Sequence, residues 1–175
     1  RRRQRQMCIR DRYQANVIAS VLAERLSGSY KMLHLPDGLS QDSLHMLMTC
    51  EPQIKEIGDL ISRTDVLLFG IGTAMRMADQ RHIADDVRKQ LVDNHAVGEA
   101  LGQYCDIDGK LIYSTNNIGL SLPDVVKVPN VIAVAGGQEK ASAIIGVMRA
   151  CQKGILIIDE QAAEGMRQLL QISAL

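Results

Sequence analysis

The chain has 175 residues, of which 46% are hydrophobic and 23% charged, and this composition is typical of one globular domain. The whole chain has 20 basic and 20 acidic residues, and residues 1–12 contain six Arg and one Asp. Residues 13–175 therefore contain 14 basic and 19 acidic residues. A nucleic-acid-binding domain should present a basic surface, and this composition excludes one. With no Trp and one Phe, an aromatic platform for single strands is excluded as well.

The first twelve residues, RRRQRQMCIRDR, differ in composition from the rest of the chain. A secretory signal would continue into an apolar segment of roughly 7–15 residues, whereas YQANVIASVLAERL has the spacing of an amphipathic helix. The stretch RQRQMCIRDR resembles translated sequencing-adapter sequence. We therefore expect residues 1–12 to be a non-native or disordered basic segment and residues 13–175 to form the domain.

The spacing of apolar residues predicts alternating helices and strands. Helical spacing is found over 14–27, 40–49, 51–62, 138–151 and 160–170, and strands are predicted over 30–36, 65–72, 110–115, 130–137 and 154–159. A helical segment with a gap near 82–85 follows the second strand, and 96–109 has no clear period, which indicates a loop. The continuous apolar runs 66–69, 131–135 and 155–158 are typical of fully buried strands in a parallel sheet. None approaches the roughly 18 residues that cross a bilayer.

The cysteines and histidines indicate neither disulfides nor a metal. Cys8, Cys50, Cys105 and Cys151 are far apart in the sequence and form no CxxC pair. Buried, reduced thiols are the expected state, which is typical of a cytoplasmic protein. We predict no metal ion and no cofactor.

Ligands of open α/β sheets bind beyond the carboxyl ends of the strands, where this chain places two glycine turns. GIGTAM at 70–75 lacks the third glycine of a dinucleotide fingerprint, so a nucleotide is not favoured. In AVAGGQEKASAI, Gly136 and Gly137 precede a helix whose first amides favour an anion, and Lys140 could add a positive charge. The alternative is a tight turn with a solvated lysine.

Other polar residues leave two interpretations open. Glu99 lies in an apolar stretch and could accept hydrogen bonds from sugar hydroxyls, or be an ion-paired surface residue. Arg81 could reach a phosphate, or lie at a solvated helix end. Gln14 is either a ligand residue or a helix-end polar residue. No Ser–His–Asp, Cys–His or paired-carboxylate set indicates catalysis.

Several segments resemble, in order, the effector domain of SorC-type sugar-binding transcriptional regulators. They are YQANVIASVLAERLSGSYKMLHLP, EPQIKEIGDLISRTDVLLFGIGTAMRMADQR, HAVGEALGQY, NIGLSLPDV, NVIAVAGGQEKASAI and GILIIDEQAA. The resemblance implies an α/β fold with a Rossmann-like, mostly parallel sheet and helices on both faces, related to glucosamine-6-phosphate deaminase and ribose-5-phosphate isomerase. The family's T-G-G-T-T and R-G-G-L-G-E segments are absent, so we expect a fold that is incomplete on its N-terminal side.

The same resemblance implies a phosphorylated sugar as effector, which in one branch of the family is fructose-1,6-bisphosphate. Family members repress operons as homo-oligomers, and they bind operator DNA through an N-terminal helix-turn-helix segment that is absent here. No membrane partner is implied. The competing hypothesis is a sugar-phosphate isomerase or deaminase of the same fold, which would need an acid/base set that the sequence does not show.

The family's ligand residues carry over by position. The glutamine of its QAN motif corresponds to Gln14, the glutamate of A-V-x-E-A to Glu99, and the lysine of A-G-G-x-x-K to Lys140. The arginine pair after M-A corresponds to Gln80 and Arg81, so the first arginine is replaced. Gly136 and Gly137 complete the predicted effector site.

Overall fold

The computed structural model describes residues 15–33, 35 and 39–171. The contacts divide the chain into two compact units, Arg1–Pro36 and Asp37–Leu175. The predicted boundary after residue 12 and the candidate ligand residue Gln14 lie outside the described residues.

The first unit contains the helix α1 (Ala15–Arg25), which agrees with the helix predicted over 14–27. The Gly28 N–H closes its C-terminal end by donating to the Ala23 carbonyl at 2.8 Å, and the Asn16 side chain donates to the Leu33 carbonyl at 3.3 Å. The described residues of the next segment, 30–33 and 35, belong to no strand. The strand predicted over 30–36 is therefore wrong for these residues, because alternation creates a strand only where a neighbour pairs with it.

The second unit contains six helices and seven strands in its described part. The helices are α2 (Gln41–Cys50), α3 (Pro52–Ser62), α4 (Ala74–Gln80), α5 (Asp85–Asp93), α6 (Ala141–Cys151) and α7 (Glu160–Leu169). The strands are β1 (Val66–Gly70), β2 (Gly72–Thr73), β3 (Gly98–Ala100), β4 (Gln103–Cys105), β5 (Leu111–Ser114), β6 (Asn130–Ala135) and β7 (Ile155–Ile158). Short 3-10 turns occupy Pro123–Lys127 and Gln138–Lys140.

Three strands form a parallel sheet in the order β1–β6–β7, which confirms the predicted α/β class. In this sheet Gly70 lies opposite Val134, and Ala135 lies opposite Ile158. Because the strands are parallel, their carboxyl ends meet at one edge. The segments that begin at Ile71, Gly136 and Asp159 therefore leave the sheet at the same edge, as expected for a ligand site.

A second sheet has four antiparallel strands in the order β2–β3–β4–β5. Its strand β5 confirms the strand predicted over 110–115, whereas β3 and β4 lie where the sequence suggested a loop. Its strands β3 and β4 have three residues each, which is too short to show a period. Leu101 and Gly102 connect them with φ of 55° and 78°, the two left-handed residues of a tight hairpin turn. The loop predicted over 96–109 is therefore wrong.

The core is built around α6, which has seven buried residues and contacts β2, β3 and β4. Ile144 and Val147 are fully buried and share one cluster with Phe69 and Ala133 of the parallel sheet. Burying an aliphatic side chain of this size contributes about 1.5–3 kcal/mol. The helix thus joins the two sheets and fixes where the loops at their ends lie.

The other face of the parallel sheet is exposed in part. Five apolar side chains on this face are exposed by 40–63%, namely Val66, Leu68, Val134, Ile155 and Ile157. The prediction of fully buried strands over 66–69, 131–135 and 155–158 is therefore wrong for this face. Successive side chains of a strand point to opposite faces, and only the alternate residues, such as Phe69, pack into the core cluster. A continuous apolar run in the sequence therefore did not show whether the sheet is covered by other elements on one face or on both.

The buried thiols are confirmed for Cys105 and Cys151, whereas Cys50 is exposed. Burial raises the pKa of Cys105 to about 12 and that of Cys151 to about 11, so both remain protonated and unreactive at neutral pH. Among the described residues, no three His, Cys, Asp or Glu side chains are placed to hold a metal ion. Within the same residues, no helix has the length and apolar character to cross a membrane.

Candidate effector-binding site

Glu99, in the middle of β3, is the most deeply buried charged residue described, with 3% of its surface exposed. Its Oε1 accepts a hydrogen bond from Arg81 at 3.0 Å and another from the Gly102 N–H at 2.7 Å. Among the described residues, its Oε2 has no hydrogen-bond partner. This oxygen lies near the glycine turn after β1, where a Cβ added to Gly72 would be 3.8 Å from it and 2.4 Å from the Met77 side chain. The carboxylate therefore retains acceptor capacity for a ligand.

Two opposing effects act on the charge of Glu99. Burial raises the pKa of this carboxyl above 4.5, while the Arg81 guanidinium and the Gly102 N–H lower it. Burial is the larger effect, because the charged form loses solvation that one ion pair and one amide do not replace. A ligand that donates hydrogen bonds to Oε2 would stabilise the charged form further.

Arg81 comes directly after α4, and its side chain is 32% exposed. From the sequence, Arg81 was either a phosphate ligand or a solvated residue at a helix end. In the structure its guanidinium forms an ion pair with Glu99. Gln80, the last residue of α4, is exposed. The two positions that correspond to the arginine pair are thus adjacent, but only the second contacts the buried carboxylate.

Two buried polar atoms near Glu99 lack hydrogen-bond partners within the described part of the chain, namely Arg81 Nε and the Tyr104 hydroxyl. Tyr104 pairs with Glu99 across the β3–β4 hairpin, and burial raises its pKa to about 12, with a further contribution from the Glu99 charge. Unsatisfied buried polar groups are rare in folded proteins, and each has a cost. Two such donors beside one carboxylate are typical of a site that a polar ligand completes.

The glycine turn after β6 is already occupied by a side chain. Gly137 has φ of 98°, and its N–H donates to both carboxylate oxygens of Asp159, at 3.1 and 2.9 Å. A Cβ on Gly136 would lie 2.7 Å from Asp159 Oδ2, so the glycine permits this close approach. The amide that we expected to bind a phosphate thus binds a carboxylate of the protein.

Lys140 ends the 3-10 turn that follows these glycines, and it is partly buried. Its charge helps to lower the pKa of Asp159, although the hydrogen bonds from the Ala162 and Gly137 amides contribute more. The turn lies against β2, which pairs with β3 through Gly72 and Glu99. Lys140 and Glu99 therefore belong to the same end of the fold.

The structure brings together part of the predicted set. Arg81 meets Glu99, and Gly136 and Gly137 lie beside Lys140, whereas Gln80 has no hydrogen-bond partner among the described residues and Gln14 is outside them. Sequence reasoning did not single out Tyr104 or Asp159. The hairpin register that faces Tyr104 towards Glu99 had no periodic signal, but an Asp after a buried strand is a recognisable helix cap.

Comparison with known proteins assigns the chain to a family. Residues 8–168 match a domain family described as "Putative sugar-binding domain". The central glycolytic genes regulator of Bacillus subtilis is 38% identical over 151 residues, which is 86% of this chain and 44% of that protein. The deoxyribonucleoside regulator of the same species is 26% identical over 159 residues, covering 88% of this chain and 50% of that protein.

Solved structures agree with the sequence matches. A SorC-family transcriptional regulator from Enterococcus faecalis superimposes with a TM-score of 0.79 at 38% identity, over 87% of this chain and 62% of that one. The full-length sorbitol operon regulator of Klebsiella pneumoniae gives a TM-score of 0.74 at 23% identity, over 89% of this chain and 51% of that one, which supports the fold alone.

These relatives are transcriptional regulators and not enzymes, which agrees with the absence of a predicted catalytic set and disfavours the isomerase or deaminase hypothesis. The chain spans less than half the length of the Bacillus subtilis glycolytic regulator that it matches. Its match to the family extends over most of its 175 residues. The chain belongs to the sugar-binding domain family of the SorC-type transcriptional regulators.

Proposed function

We propose that this chain is the sugar-phosphate-sensing part of a bacterial transcriptional regulator that acts in the cytoplasm. The observation that carries the proposal is the buried Glu99 carboxylate. It is ion-paired with Arg81 and cross-strand from Tyr104, and the Arg81 Nε and the Tyr104 hydroxyl have no hydrogen-bond partner among the described residues. Such a set accepts hydrogen bonds from sugar hydroxyls and donates to sugar oxygens. DNA binding, by contrast, has no basic surface to support it in residues 13–175, which carry more acidic than basic groups.

The phosphate of the effector is assigned to Lys140 and the glycine turn. The Gly137 amide already holds an anion, the Asp159 carboxylate, and Lys140 adds a positive charge beside it. The likeness to the central glycolytic genes regulator favours fructose-1,6-bisphosphate or a related sugar phosphate. Because Gln80 stands where the family has an arginine, a second phosphate should add less affinity than in that pattern.

The proposed regulator acts as a homo-oligomer that binds operator DNA through a helix-turn-helix segment outside this chain, and the effector loosens that binding. Gln14 is proposed to complete the sugar site, as its position in the QAN motif implies. This assignment rests on the family resemblance.

Calorimetric titration with fructose-1,6-bisphosphate, fructose-6-phosphate and fructose tests the assignment. Charge-assisted hydrogen bonds to a phosphate contribute roughly 1.5–3 kcal/mol each, so Lys140→Ala should weaken both phosphorylated sugars by about tenfold to a hundredfold and leave fructose almost unchanged. Lys89→Ala, at an exposed lysine of α5, is the matched control. Gln80→Arg should favour the bisphosphate over the monophosphate.

Two results would contradict the proposal. Equal affinities for the phosphorylated sugars in the parent chain, Lys140→Ala and Gln80→Arg would mean that the phosphate site is elsewhere. Formation of fructose-6-phosphate from glucosamine-6-phosphate by the parent chain would replace the regulator hypothesis by the deaminase.

A further inference from the structure

A cavity with a volume of about 480 Å³ lies between α2 and the segment that follows β5. This volume is within the range of small-molecule sites. Its described lining contains amide and hydroxyl side chains and one histidine, and no Asp, Glu, Lys or Arg. We call this cavity the amide cleft, after Gln41, Gln103, Asn116 and Asn117 in its wall.

Three side chains in the amide cleft each donate one hydrogen bond to a backbone carbonyl. The amide nitrogens of Asn116 and Asn117 donate to the carbonyls of Leu39 and Leu101, each at 3.0 Å. The Thr115 hydroxyl donates to the Gly102 carbonyl, also at 3.0 Å. Because a carbonyl only accepts, these bonds fix which atom of each side chain faces its partner. The amide oxygens of both Asn, their second N–H groups and the lone pairs of the Thr115 hydroxyl are left for a ligand.

The wall behind these acceptors is rigid. Gln103 is 8% exposed, its Oε1 accepts from the Leu122 N–H at 2.7 Å, and its Nε2 donates to the Ser114 hydroxyl at 3.2 Å. A buried amide with both ends bonded holds its neighbours in place. The acceptors are therefore positioned before any ligand arrives, which lowers the entropy cost of binding.

The amide cleft is separate from the Glu99 site but shares one residue with it. The Gly102 N–H donates to Glu99 Oε1, whereas its carbonyl accepts from Thr115. Asn117 and Thr115 pack where a side chain on Gly102 would stand, at 2.4 and 2.3 Å from a Cβ. The amide cleft and the Glu99 carboxylate thus lie on opposite sides of the β3–β4 turn.

We propose that the amide cleft binds a neutral polyhydroxyl compound, such as an unphosphorylated sugar or sugar alcohol. Fixed, uncharged amide and hydroxyl groups match a ligand with several hydroxyls, because each hydroxyl both donates and accepts. A phosphate group is negatively charged at neutral pH, and its oxygens mainly accept hydrogen bonds. The described lining of the amide cleft contains no Lys or Arg to pair with that charge. A sugar phosphate, the ligand proposed for the Glu99 site, is therefore disfavoured in the amide cleft.

The test is a titration of the full chain with D-mannitol, followed by NMR of the side-chain amide signals of Asn116 and Asn117. Saturable shifts with a dissociation constant in the range of about 1–10 mM are expected. Thr115→Val should weaken binding at least about tenfold, the effect of one lost hydrogen bond to a fixed acceptor, while Thr115→Ser should keep it. Thr64→Val is the matched control, because Thr64 also donates to a carbonyl, at 2.8 Å from Ile61, away from the cleft.

If Thr115→Val does not fold, His45→Trp provides a second variant, because His45 is exposed on α2 and an indole there would narrow the cleft. The proposal is overturned by the absence of saturable shifts below about 10 mM, or by binding that neither variant weakens. It is equally overturned if mannitol-1-phosphate shifts the same two amide signals at lower concentration than mannitol does.

Discussion

The Gly137 N–H donates to both carboxylate oxygens of Asp159, at 3.1 and 2.9 Å. The same carboxylate caps α7, accepting from the Ala162 N–H at 2.8 Å. One side chain thus joins the turn after β6 to the helix after β7, at the edge where the proposed phosphate would bind. Asp159 therefore stabilises the structure, and its negative charge lies next to the turn at which the phosphate is proposed to bind.

We predict that Asp159→Ala lowers the free energy of unfolding more than Asp159→Asn, because asparagine still caps the helix through its amide oxygen. The hydrogen bonds from Ala162 and Gly137 lower the pKa of Asp159 below 3.8, so its contribution is present at neutral pH and is lost as the pH falls through that lowered pKa. Urea unfolding at neutral and acidic pH measures both effects. An alanine variant as stable as the parent at neutral pH would contradict the anchoring role.

Asp159→Asn should also strengthen the binding of a sugar phosphate, since it removes a negative charge from beside Lys140. Calorimetric titration with fructose-6-phosphate measures this change, with fructose as the uncharged control. A gain that appears equally for fructose would assign the effect to the shape of the turn and not to charge.

The Arg81–Glu99 pair gives a second prediction. Arg81→Ala leaves a buried carboxylate without its cation, and losses of about 3–5 kcal/mol are usual for such a change. Because the Arg81 side chain is 32% exposed, we expect a loss at or below the lower end of that range. In the double variant Arg81→Ala with Glu99→Gln, the stability should largely return, because no charge remains buried. Urea unfolding of the single and double variants measures this, and a double variant no more stable than Arg81→Ala would contradict it.

Glu99→Gln alone should change the pH dependence of stability. The pKa of Glu99 is raised above 4.5 by burial, so the folded state holds this proton more tightly than the unfolded state does. The free energy of unfolding should therefore fall as the pH rises above 4.5 and through the raised pKa, and the glutamine variant should lose this fall. Urea titrations at several pH values provide the comparison, and an unchanged slope would mean that Glu99 is not the group responsible.

Tyr104→Phe tests the unsatisfied hydroxyl. Because this hydroxyl has no partner among the described residues, removing it should leave the unliganded stability within about 1 kcal/mol or increase it. The affinity for fructose-6-phosphate should fall roughly tenfold if the hydroxyl donates to the ligand. Tyr113→Phe, on the neighbouring strand with its ring 6.0 Å away, is the matched control. A loss of stability without a loss of affinity would show that the hydroxyl has a structural partner instead.

Gly146 tests how closely α6 packs. A Cβ at this position would lie 2.4 Å from the Asp106 carbonyl oxygen, and backbone cannot move away easily, so Gly146→Ala should cost about 1–3 kcal/mol. Gly58→Ala is a comparable change in α3, but there the Cβ would meet the end of the Met48 side chain. The Met48 side chain can rotate away, so the steric cost of Gly58→Ala should be small. Alanine also favours the helix over glycine by up to about 1 kcal/mol, which offsets that cost. Thermal unfolding of both variants measures the two changes in stability. Equal losses of stability in Gly146→Ala and Gly58→Ala would contradict the prediction.

The sequence by itself determined the helices, the strands of the parallel sheet and the family. Apolar spacing placed α3, α6 and α7, because a helix needs one apolar stripe and local caps such as Asp159, and both are visible along the chain. The runs around Phe69, Ala133 and Ile157 similarly marked three strands, since adjacent apolar residues favour extended structure wherever a sheet forms.

The tertiary structure alone decided the hairpin of β3 and β4, the partner of Glu99 and the side of the parallel sheet that is covered. Three-residue strands carry no period, so the pairing of Glu99 with Tyr104 depends on a tight turn and on α6 packing over it. Whether Arg81 is solvated or ion-paired depends on where the end of α4 falls relative to β3, and residues 18 positions apart in the chain meet there only after folding. Long-range contacts of this kind decide which polar groups share a site, because local spacing constrains neighbours along the chain and not across it.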